Sequence, residues 1–290
     1  MKLLKLYDNP RSIHAQYARV VLDESGAEYK KELVELPLGN LHPSYARVSP
    51  VLSVPALELV PKEGANNNES KVILTDSRDI IKYCAGLEGS GKRLFPEEKR
   101  VEIDEVLDMI YSANGGQISF QSQQARDPLF RFVLSHVIGP YRTKLVRRYV
   151  TDPEVTNSLH LKKVYEAFGE RSARQGPSLE DLSLRANKVM SFLHGKLEKG
   201  PWLLGQDHTA ADCVAAIWVQ WIVWADDPSI TVTPRVLSFL HQARQRPAWD
   251  ETAPMWVIPY VKTRLYAAAA LAGCAAAGMI SLCVMRFGWK

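Results

Sequence analysis

At 290 residues the chain is long enough to form two domains with a well-buried core. Its composition, with 46% hydrophobic and 23% charged residues, is that of a folded protein and argues against a disordered one. The formal net charge is only +4, and Lys and Arg are spread beside Asp and Glu, so we expect no nucleic-acid partner.

The first 87 residues alternate strand and helix patterns in the order β-α-β-α-β-β-α. This order predicts an α/β domain with a mixed sheet that begins with a βαβ unit and ends with a hairpin. The strands are predicted at 3–7, 29–34, 56–60 and 71–75, and the helices at 14–24, 43–47 and 76–87.

Residues 88–96 break this pattern with glycines and a proline, and we predict a linker there. From residue 97 to 255 nearly every segment has helical spacing, which predicts an all-helical domain. Thr209 and Asp212 open an apolar run at the spacing of a capping box, and the tryptophans of that run are predicted to be core residues. The helices are predicted at 97–121, 129–149, 152–169, 178–199, 209–225 and 232–245.

The tail, residues 256–290, contains a charge-free run at 265–285 that is long enough to cross about 30 Å of hydrocarbon as a helix. Basic residues flank the run on both sides and a tryptophan follows it, as membrane interfaces favour. A buried, alanine-rich helix of a soluble domain is the alternative. We predict a single transmembrane helix that binds membrane lipid, with the bulk of the chain facing the cytosol or the matrix.

The four cysteines show neither a CxxC pair nor the spacing with histidine that metal ligands adopt. We therefore expect no metal, and a reducing compartment in which cysteines pack as small hydrophobic side chains. They are Cys84, Cys213, Cys274 and Cys283.

Three short segments of the first domain could form one small-molecule site. In LYDNPRSIHAQYAR, Ser12 precedes a helix, where its hydroxyl could favour the thiolate form of a bound thiol. Val54-Pro55 precedes a strand and is a candidate cis peptide, which would leave the N–H and C=O of Val54 free to pair with an extended peptide ligand. Asp76-Ser77 begins a helix, where backbone N–H groups and the Ser77 hydroxyl suit a carboxylate and Asp76 suits an ammonium group.

Each segment also has a purely structural interpretation. Ser12 could be a turn residue, Pro55 could follow a trans peptide in a turn, and Asp76 or Ser77 could only cap a helix. The order and spacing of the three segments around one βαβ…ββα unit favour the common site.

These segments resemble those of glutathione transferases, which join a thioredoxin-like domain to an all-helical domain, over about residues 1–255. LYDNPRSIHAQYAR is similar, without gaps, to the zeta-class pattern LYSYFRSSCSWRVR, and GPWLLGQDHTAADC is similar to the helical-domain signature GxxxSxAD. SVPAL and TDSRDIIKY resemble the glutathione-binding VPxL and [ED]S segments. The resemblance implies that Ser12 activates the thiol, that Val54 pairs with the cysteinyl backbone of glutathione, and that Asp76 and Ser77 bind its γ-glutamyl end.

The chain departs from the family pattern at several positions. His14 and Ala15 stand where the zeta pattern has Cys and Ser. The family motif NPxGxVP reads SPVLSVP, so that Leu52 replaces a glycine and Ser53 stands where a Lys or Gln is frequent near the glycine carboxylate of the ligand. Tyr7, which also ends the first strand, is the alternative to Ser12, because some classes of the family use a tyrosine hydroxyl.

The predicted fold is thus a thioredoxin-like N-terminal domain, an all-α glutathione-transferase C-terminal domain and one C-terminal transmembrane helix. The helical stretch between about 125 and 180 and the basic-flanked tail resemble the ganglioside-induced differentiation-associated proteins, which are tail-anchored in the mitochondrial outer membrane.

Two functions follow from these resemblances. The first is a membrane-anchored glutathione transferase-like protein in which the glutathione thiolate attacks an electrophile. The second is a non-catalytic accessory subunit of a mitochondrial membrane complex. The expected location is a mitochondrial membrane, with a tail anchor in the outer membrane or a complex in the inner one, and the expected partners are other membrane-protein subunits or a second copy of the chain.

Overall fold

The structure is a computed structural model and describes residues 3–60, 72–173 and 176–251. The chain divides into two compact units, Met1–Ala253 and Pro254–Lys290, and every described residue belongs to the first. The predicted tail, 256–290, with its span at 265–285, therefore lies outside the described residues. Within the described ranges, no helix is both long and apolar enough to cross a bilayer.

The N-terminal part has the predicted order of elements, and their bounds differ from the predicted ones by one or two residues. The strands are β1 (Leu3–Asp8), β2 (Tyr29–Leu33), β3 (Ala56–Val60) and β4 (Val72–Leu74). The helices are α1 (Ile13–Glu24), α2 (Pro43–Ala46) and α3 (Ser77–Ala85).

The four strands form one sheet in the order β2-β1-β3-β4. Strand β2 runs parallel to β1, as expected for a βαβ unit that crosses through α1. Strand β3 is antiparallel to both β1 and β4, so β3 and β4 form the predicted hairpin pair. This topology brings the end of β1, the start of β3 and the end of β4 to one end of the sheet, and with them the three predicted site segments.

The remainder of the described chain is helical, as predicted. A π-helical stretch, Leu134–Ile138, joins α7 to α8, and α4 lies within residues 88–96, which the sequence predicted to be a linker. The predicted domain boundaries themselves remain a prediction. The helices are α4 (Ser90–Leu94), α5 (Arg100–Ser112), α6 (Gly115–Arg126), α7 (Pro128–Val133), α8 (Gly139–Val150), α9 (Pro153–Thr156), α10 (Leu159–Ala173), α11 (Leu179–Lys196), α12 (Ala210–Ala225), α13 (Pro234–Ala243) and α14 (Pro247–Glu251).

The helix predicted at 97–121 is interrupted, so that α5 and α6 are separate helices. Asn114 caps α6, because its side-chain oxygen accepts a hydrogen bond from the N–H of Gln117 at 3.0 Å. The chain passes very close to Trp218 at this point, and a Cβ atom on Gly115 would lie only 2.9 Å from the indole ring. The break therefore depends on a cap and on a close approach to α12, which helical periodicity alone does not reveal.

Helix α12 is the central helix of the core. Its predicted capping box is present, with the N–H of Thr209 donating to the Asp212 carboxylate at 2.8 Å. Trp218 and Trp221 are buried, as predicted, whereas Trp224 of the same run is only half-buried. The Trp221 indole N–H donates to the side-chain oxygen of Gln16 on α1 at 3.0 Å. Helix α12 thus fixes α1 and, with it, the position of Ser12.

The α7–α10 segment, residues 128–173, packs on the thioredoxin-like domain near α2. Leu41 and Leu52 share a buried cluster with residues of α9 and α10, including Leu161. The Tyr165 hydroxyl donates to the carbonyl oxygen of Leu41 at 2.5 Å. An exposed ion pair joins Arg47 to Glu154 on α9. The segment is therefore held against the same end of the sheet that carries the predicted site.

Candidate functional site

Ser12 is the N-cap residue of α1. Its hydroxyl oxygen accepts a hydrogen bond from the N–H of Ala15 and donates to the carbonyl oxygen of Val54, both at 3.3 Å. These distances are at the long end of the range for hydrogen bonds, and the side chain is half-buried. The hydroxyl is therefore positioned but only weakly held, and a ligand group could replace either partner.

The backbone beneath Ser12 is firmly anchored. Arg19 of α1 forms a buried ion pair with Asp8 at the end of β1, with a shortest N···O distance of 2.5 Å. This pair joins the helix to the strand on both sides of the turn that carries Ser12. The start of α1 is thus fixed by a buried ion pair and by α12.

The Val54-Pro55 peptide is cis, as the sequence indicated. Within the described part of the chain, the N–H of Val54 has no hydrogen-bond partner, and its carbonyl oxygen accepts only from Ser12. The preceding residue is fixed, because the hydroxyl groups of Tyr45 and Ser49 both donate to the carbonyl oxygen of Ser53. This segment can therefore pair with an extended peptide through Val54.

Leu52 adopts a left-handed backbone conformation, with φ of 55°. Glycine takes this conformation without a steric penalty, which explains the glycine of the family motif at this position. The Leu52 side chain is only 2% exposed and lies in the cluster with Leu161 of α10. The packing of the α7–α10 segment therefore accounts for a leucine where the family pattern has glycine.

A cavity of about 450 Å³ lies between this part of the thioredoxin-like domain and the α7–α10 segment. Ser12, Ser53 and Val54 all line it, so the structure brings these predicted residues together. Five further polar side chains line the cavity that the sequence did not indicate as site residues, namely His14, Asn40, Arg142, Arg171 and Ser172. Arg142 and Arg171 lie on helices far along the chain, and no motif of the sequence connects them with Ser12.

Asp76 and Ser77 are not among the described residues that line this cavity. Asp76 is exposed and caps α3, since its carboxylate accepts from the N–H of Arg78 at 2.7 Å. The Ser77 hydroxyl is buried, lies 2.7 Å from the hydroxyl of Tyr111 on α5, and is 3.4 Å from Nδ1 of His14. Of the predicted γ-glutamyl part of the site, Ser77 is thus covered by the protein's own side chains, whereas Asp76 is exposed.

His14 connects the two parts of the predicted site, because it lines the cavity and also contacts Ser77. Burial lowers the pKa of His14, although the negative charge of Asp76 opposes this effect. The imidazole is therefore neutral near pH 7 and can act as a hydrogen-bonding group rather than as a fixed cation.

Tyr7, the alternative hydroxyl, is not among the described residues that line the cavity. Its hydroxyl donates to the Glu58 carboxylate on β3 at 2.9 Å, and the residue is buried. Burial raises the pKa of Tyr7, with the hydrogen bond to Glu58 acting in the same direction and Lys5 opposing it. The geometry therefore favours Ser12 over Tyr7 as the hydroxyl next to a ligand.

The two described cysteines, Cys84 and Cys213, are buried and unpaired with each other, and burial raises the pKa of Cys84 to about 12. They lack the thiolate character of a reactive cysteine. In the described ranges, no group of three or more His, Cys, Asp or Glu side chains is arranged to hold a metal ion.

Comparison with known proteins agrees with this architecture. Residues 6–90 match the family described as glutathione S-transferase, N-terminal domain. Among curated proteins, none matches the chain in sequence.

Several solved structures of glutathione transferases have the same fold. A family member from Pseudomonas fluorescens, with two glutathione bound, is 19% identical with a TM-score of 0.56, over 87% of this chain and 92% of that one. A glutathione transferase from Burkholderia graminis, with two glutathione molecules bound per subunit, is 17% identical with a TM-score of 0.57, over 87% of each chain.

The trimeric glutathione transferase TDR1 of Leishmania is 17% identical with a TM-score of 0.55. The match covers 87% of this chain but only 46% of TDR1, so this chain spans less than half of that protein's length. At these identities the likeness establishes the fold alone. Residues 6–90 are thus similar to glutathione S-transferase N-terminal domains, and the described chain has the fold of the glutathione transferases.

Proposed function

We propose that the protein is a glutathione transferase-like enzyme that binds glutathione in the cavity beside Ser12 and Val54. The observation that carries this proposal is that Ser12 lines one cavity together with Val54, whose N–H has no hydrogen-bond partner among the described residues. Two of the similar solved structures contain bound glutathione, which supports the choice of ligand.

In the proposed reaction, the cysteinyl residue of glutathione pairs with the backbone of Val54. In the free protein, the Ser12 hydroxyl donates to the carbonyl oxygen of Val54 at 3.3 Å. When the ligand binds, the cysteinyl N–H takes the place of this hydroxyl on the carbonyl oxygen. The released hydroxyl then donates to the ligand sulfur. Because a donor stabilises the thiolate more than the thiol, the pKa of the ligand thiol falls, by one unit for each 1.4 kcal/mol or so of differential stabilisation. The thiol proton passes to solvent, and the thiolate sulfur forms a bond to an electrophilic carbon as the leaving group departs with the electron pair of its own bond to that carbon.

Replacement of Ser12 by alanine tests this proposal. We expect Ser12→Ala to lower turnover about 10- to 100-fold, because losing the donor raises the thiol pKa by about one to two units. Glutathione affinity, measured by calorimetry, should stay nearly unchanged, and the thiolate absorbance of the bound ligand at neutral pH should fall. Equal turnover in the variant and the parent would remove Ser12 from the reaction.

Tyr7→Phe is the matched control, since it removes a hydroxyl that ends the same strand but bonds to Glu58. The turnover of the folded variant should equal that of the parent. A loss as large as that of Ser12→Ala would restore Tyr7 as the catalytic hydroxyl.

A non-catalytic accessory subunit is the second proposed function. The observation that favours it is the covered Ser77 hydroxyl, which lies 2.7 Å from the Tyr111 hydroxyl. Retention on immobilised glutathione, with elution by free glutathione, supports the enzyme. Failure to bind, together with co-purification in a large membrane complex, supports the subunit.

We further propose that residues 265–285 anchor the protein in a mitochondrial membrane, in the manner of the ganglioside-induced differentiation-associated proteins that its layout resembles. The uncharged length of this run and its basic flanks support the proposal. In this location the partners are membrane lipid and either other subunits or a second copy of the chain. Extraction of mitochondrial membranes with alkaline carbonate should leave the protein in the pellet, and release into the supernatant would refute the anchor.

A further inference from the structure

Two arginines of the α7–α10 segment face the Ser12 cavity from the helical side. Arg142 lies on α8 and Arg171 on α10, and both line the cavity opposite Ser12. No Asp or Glu is found among the described residues that line it. The cavity therefore has two permanently charged guanidinium groups and, among the described lining residues, no carboxylate.

The two guanidinium groups retain donors that the described protein does not use. One nitrogen of Arg171 donates to the carbonyl oxygen of Val51 at 3.3 Å. Arg142 lies over the ring of Phe168 at 5.1 Å, and its buried Nε has no hydrogen-bond partner in the described part of the chain. Neither arginine forms an ion pair with a described acidic residue. Arg142 is half-buried, whereas Arg171 is exposed. Because a partly buried cation without an ionic partner is unfavourable, the surroundings of Arg142 in particular suit a negatively charged ligand group.

The helices that carry the arginines are also held in place before any ligand binds, since Leu145 and Val146 of α8 pack on the same cluster as α10. The hydrogen bond of Tyr165 to Leu41 and the shared cluster around Leu52 fix α10 against the thioredoxin-like domain. The bond to Val51 sets Arg171 directly beside the segment that leads to Val54. Groups that are positioned in advance lose little conformational entropy when they bind a ligand.

The direction of the ligand follows from strand pairing. A peptide that pairs antiparallel with the chain at Val54 continues, toward its own C-terminus, past Ser53 and Val51. Its terminal carboxylate therefore comes to the side of the cavity where Arg171 bonds to Val51. Ser53 itself carries no charge with which to bind that group.

We propose that Arg142 and Arg171 bind the C-terminal carboxylate of the peptide thiol, so that the α7–α10 segment selects the ligand's C-terminal end. This inference rests on the proposed binding of glutathione at Ser12 and Val54. The two arginines are specificity-determining residues, and they take no part in the transfer step.

The test compares glutathione with its C-terminal amide, in which an NH2 group replaces the charged terminal oxygen. Calorimetry on the full chain should show that the parent binds glutathione about 10- to 100-fold more tightly than the amide, as expected for charge-assisted hydrogen bonds. The double variant Arg142→Gln and Arg171→Gln should bind both ligands with nearly equal affinity. The matched control, Arg147→Gln and Arg148→Gln, removes two basic residues of the same helix that do not line the cavity, and should keep the parent's preference.

The outcomes separate the two proposals. Equal binding of acid and amide by the parent overturns the role of the arginines and leaves glutathione binding intact. A preference that survives in the double variant also overturns that role. If the parent binds neither ligand, the proposed function fails and this inference fails with it. A variant that misfolds would lose affinity for both ligands alike. Thermal unfolding of each variant identifies that case.

Discussion

Helices α1 and α3 begin in similar ways, yet their serines have different surroundings. Each helix follows a strand at the same end of the sheet and has a serine at its start, Ser12 as the N-cap of α1 and Ser77 as the first residue of α3. The Ser12 hydroxyl makes two long hydrogen bonds beside an open cavity. The Ser77 side chain is buried, and its hydroxyl lies close to Tyr111.

The difference between the two helix starts comes from the helices that pack on them. Helix α5 brings Tyr111 onto Ser77, whereas α8 and α10 stand back from Ser12 and leave a cavity. A polar residue at a helix start thus becomes a ligand group or a packing group according to what the rest of the chain places over it. This difference can be tested at the ion pair that holds each helix, at helix α12, which packs on α1, and at Ser77 itself.

The largest expected effect is on stability, from loss of the ion pair that joins α1 to β1. Arg19 is only 3% exposed and pairs with Asp8, so Arg19→Met leaves a buried carboxylate without its partner. We expect a loss of about 3–5 kcal/mol in the free energy of unfolding, measured by urea denaturation.

Arg78→Met is the matched control on α3. Arg78 pairs with Asp108, whose side chain is 66% exposed, so water compensates for the lost partner. The expected loss is at most about 1 kcal/mol. Losses of equal size in the two variants would show that the two helices are anchored alike.

The next effect concerns α12, which supports α1. Burial raises the pKa of the Asp212 carboxyl to about 6, although three hydrogen bonds to its oxygens favour the charged form. The folded protein therefore holds this proton more tightly than the unfolded chain does. The resulting stability is present below about pH 4 and is lost as the pH rises through 6, and it amounts to about 3 kcal/mol.

Denaturation at a series of pH values measures this effect. Between pH 4 and 7 the parent should lose about 2 kcal/mol more than Asp212→Asn, which has no proton to release, because part of the total is already lost at pH 4. Asp104→Asn, an exposed position on α5, should keep the pH dependence of the parent. If Asp212→Asn shows the parent's slope as well, Asp212 is already ionised throughout this range.

The smallest expected effect is on Ser77. Tyr111→Phe removes the hydroxyl that lies 2.7 Å from Ser77 and frees Ser77 to bind a ligand carboxylate. We expect glutathione affinity to rise about two- to tenfold, which is the usual net contribution of one hydrogen bond at a solvent-accessible site.

Tyr141→Phe, which removes an exposed hydroxyl on α8, should leave the affinity unchanged. Unchanged or weaker binding by Tyr111→Phe would mean that Ser77 stays outside the ligand site. In that case the two helix starts would differ in function as well as in surroundings.

The parts of the fold that the sequence predicted correctly depend on local patterns. The alternation of strands and helices, the hairpin pair and the capping box at Thr209 and Asp212 each follow from periodicity or from residue types a few positions apart. The break between α5 and α6 was missed, because helical periodicity reveals neither the Asn114 cap nor the approach of Gly115 to Trp218, which is distant in sequence.

The same distinction holds for the candidate site. The sequence by itself determined that Ser12, Val54 and Ser77 come to one end of the sheet, because each adjoins a strand whose pairing follows from the order of elements. Only the tertiary structure decided which of them borders a cavity, since that depends on Tyr111, Arg142 and Arg171. The physical reason is that hydrogen bonding within a helix or a turn is local, whereas burial depends on side chains that distant helices bring together.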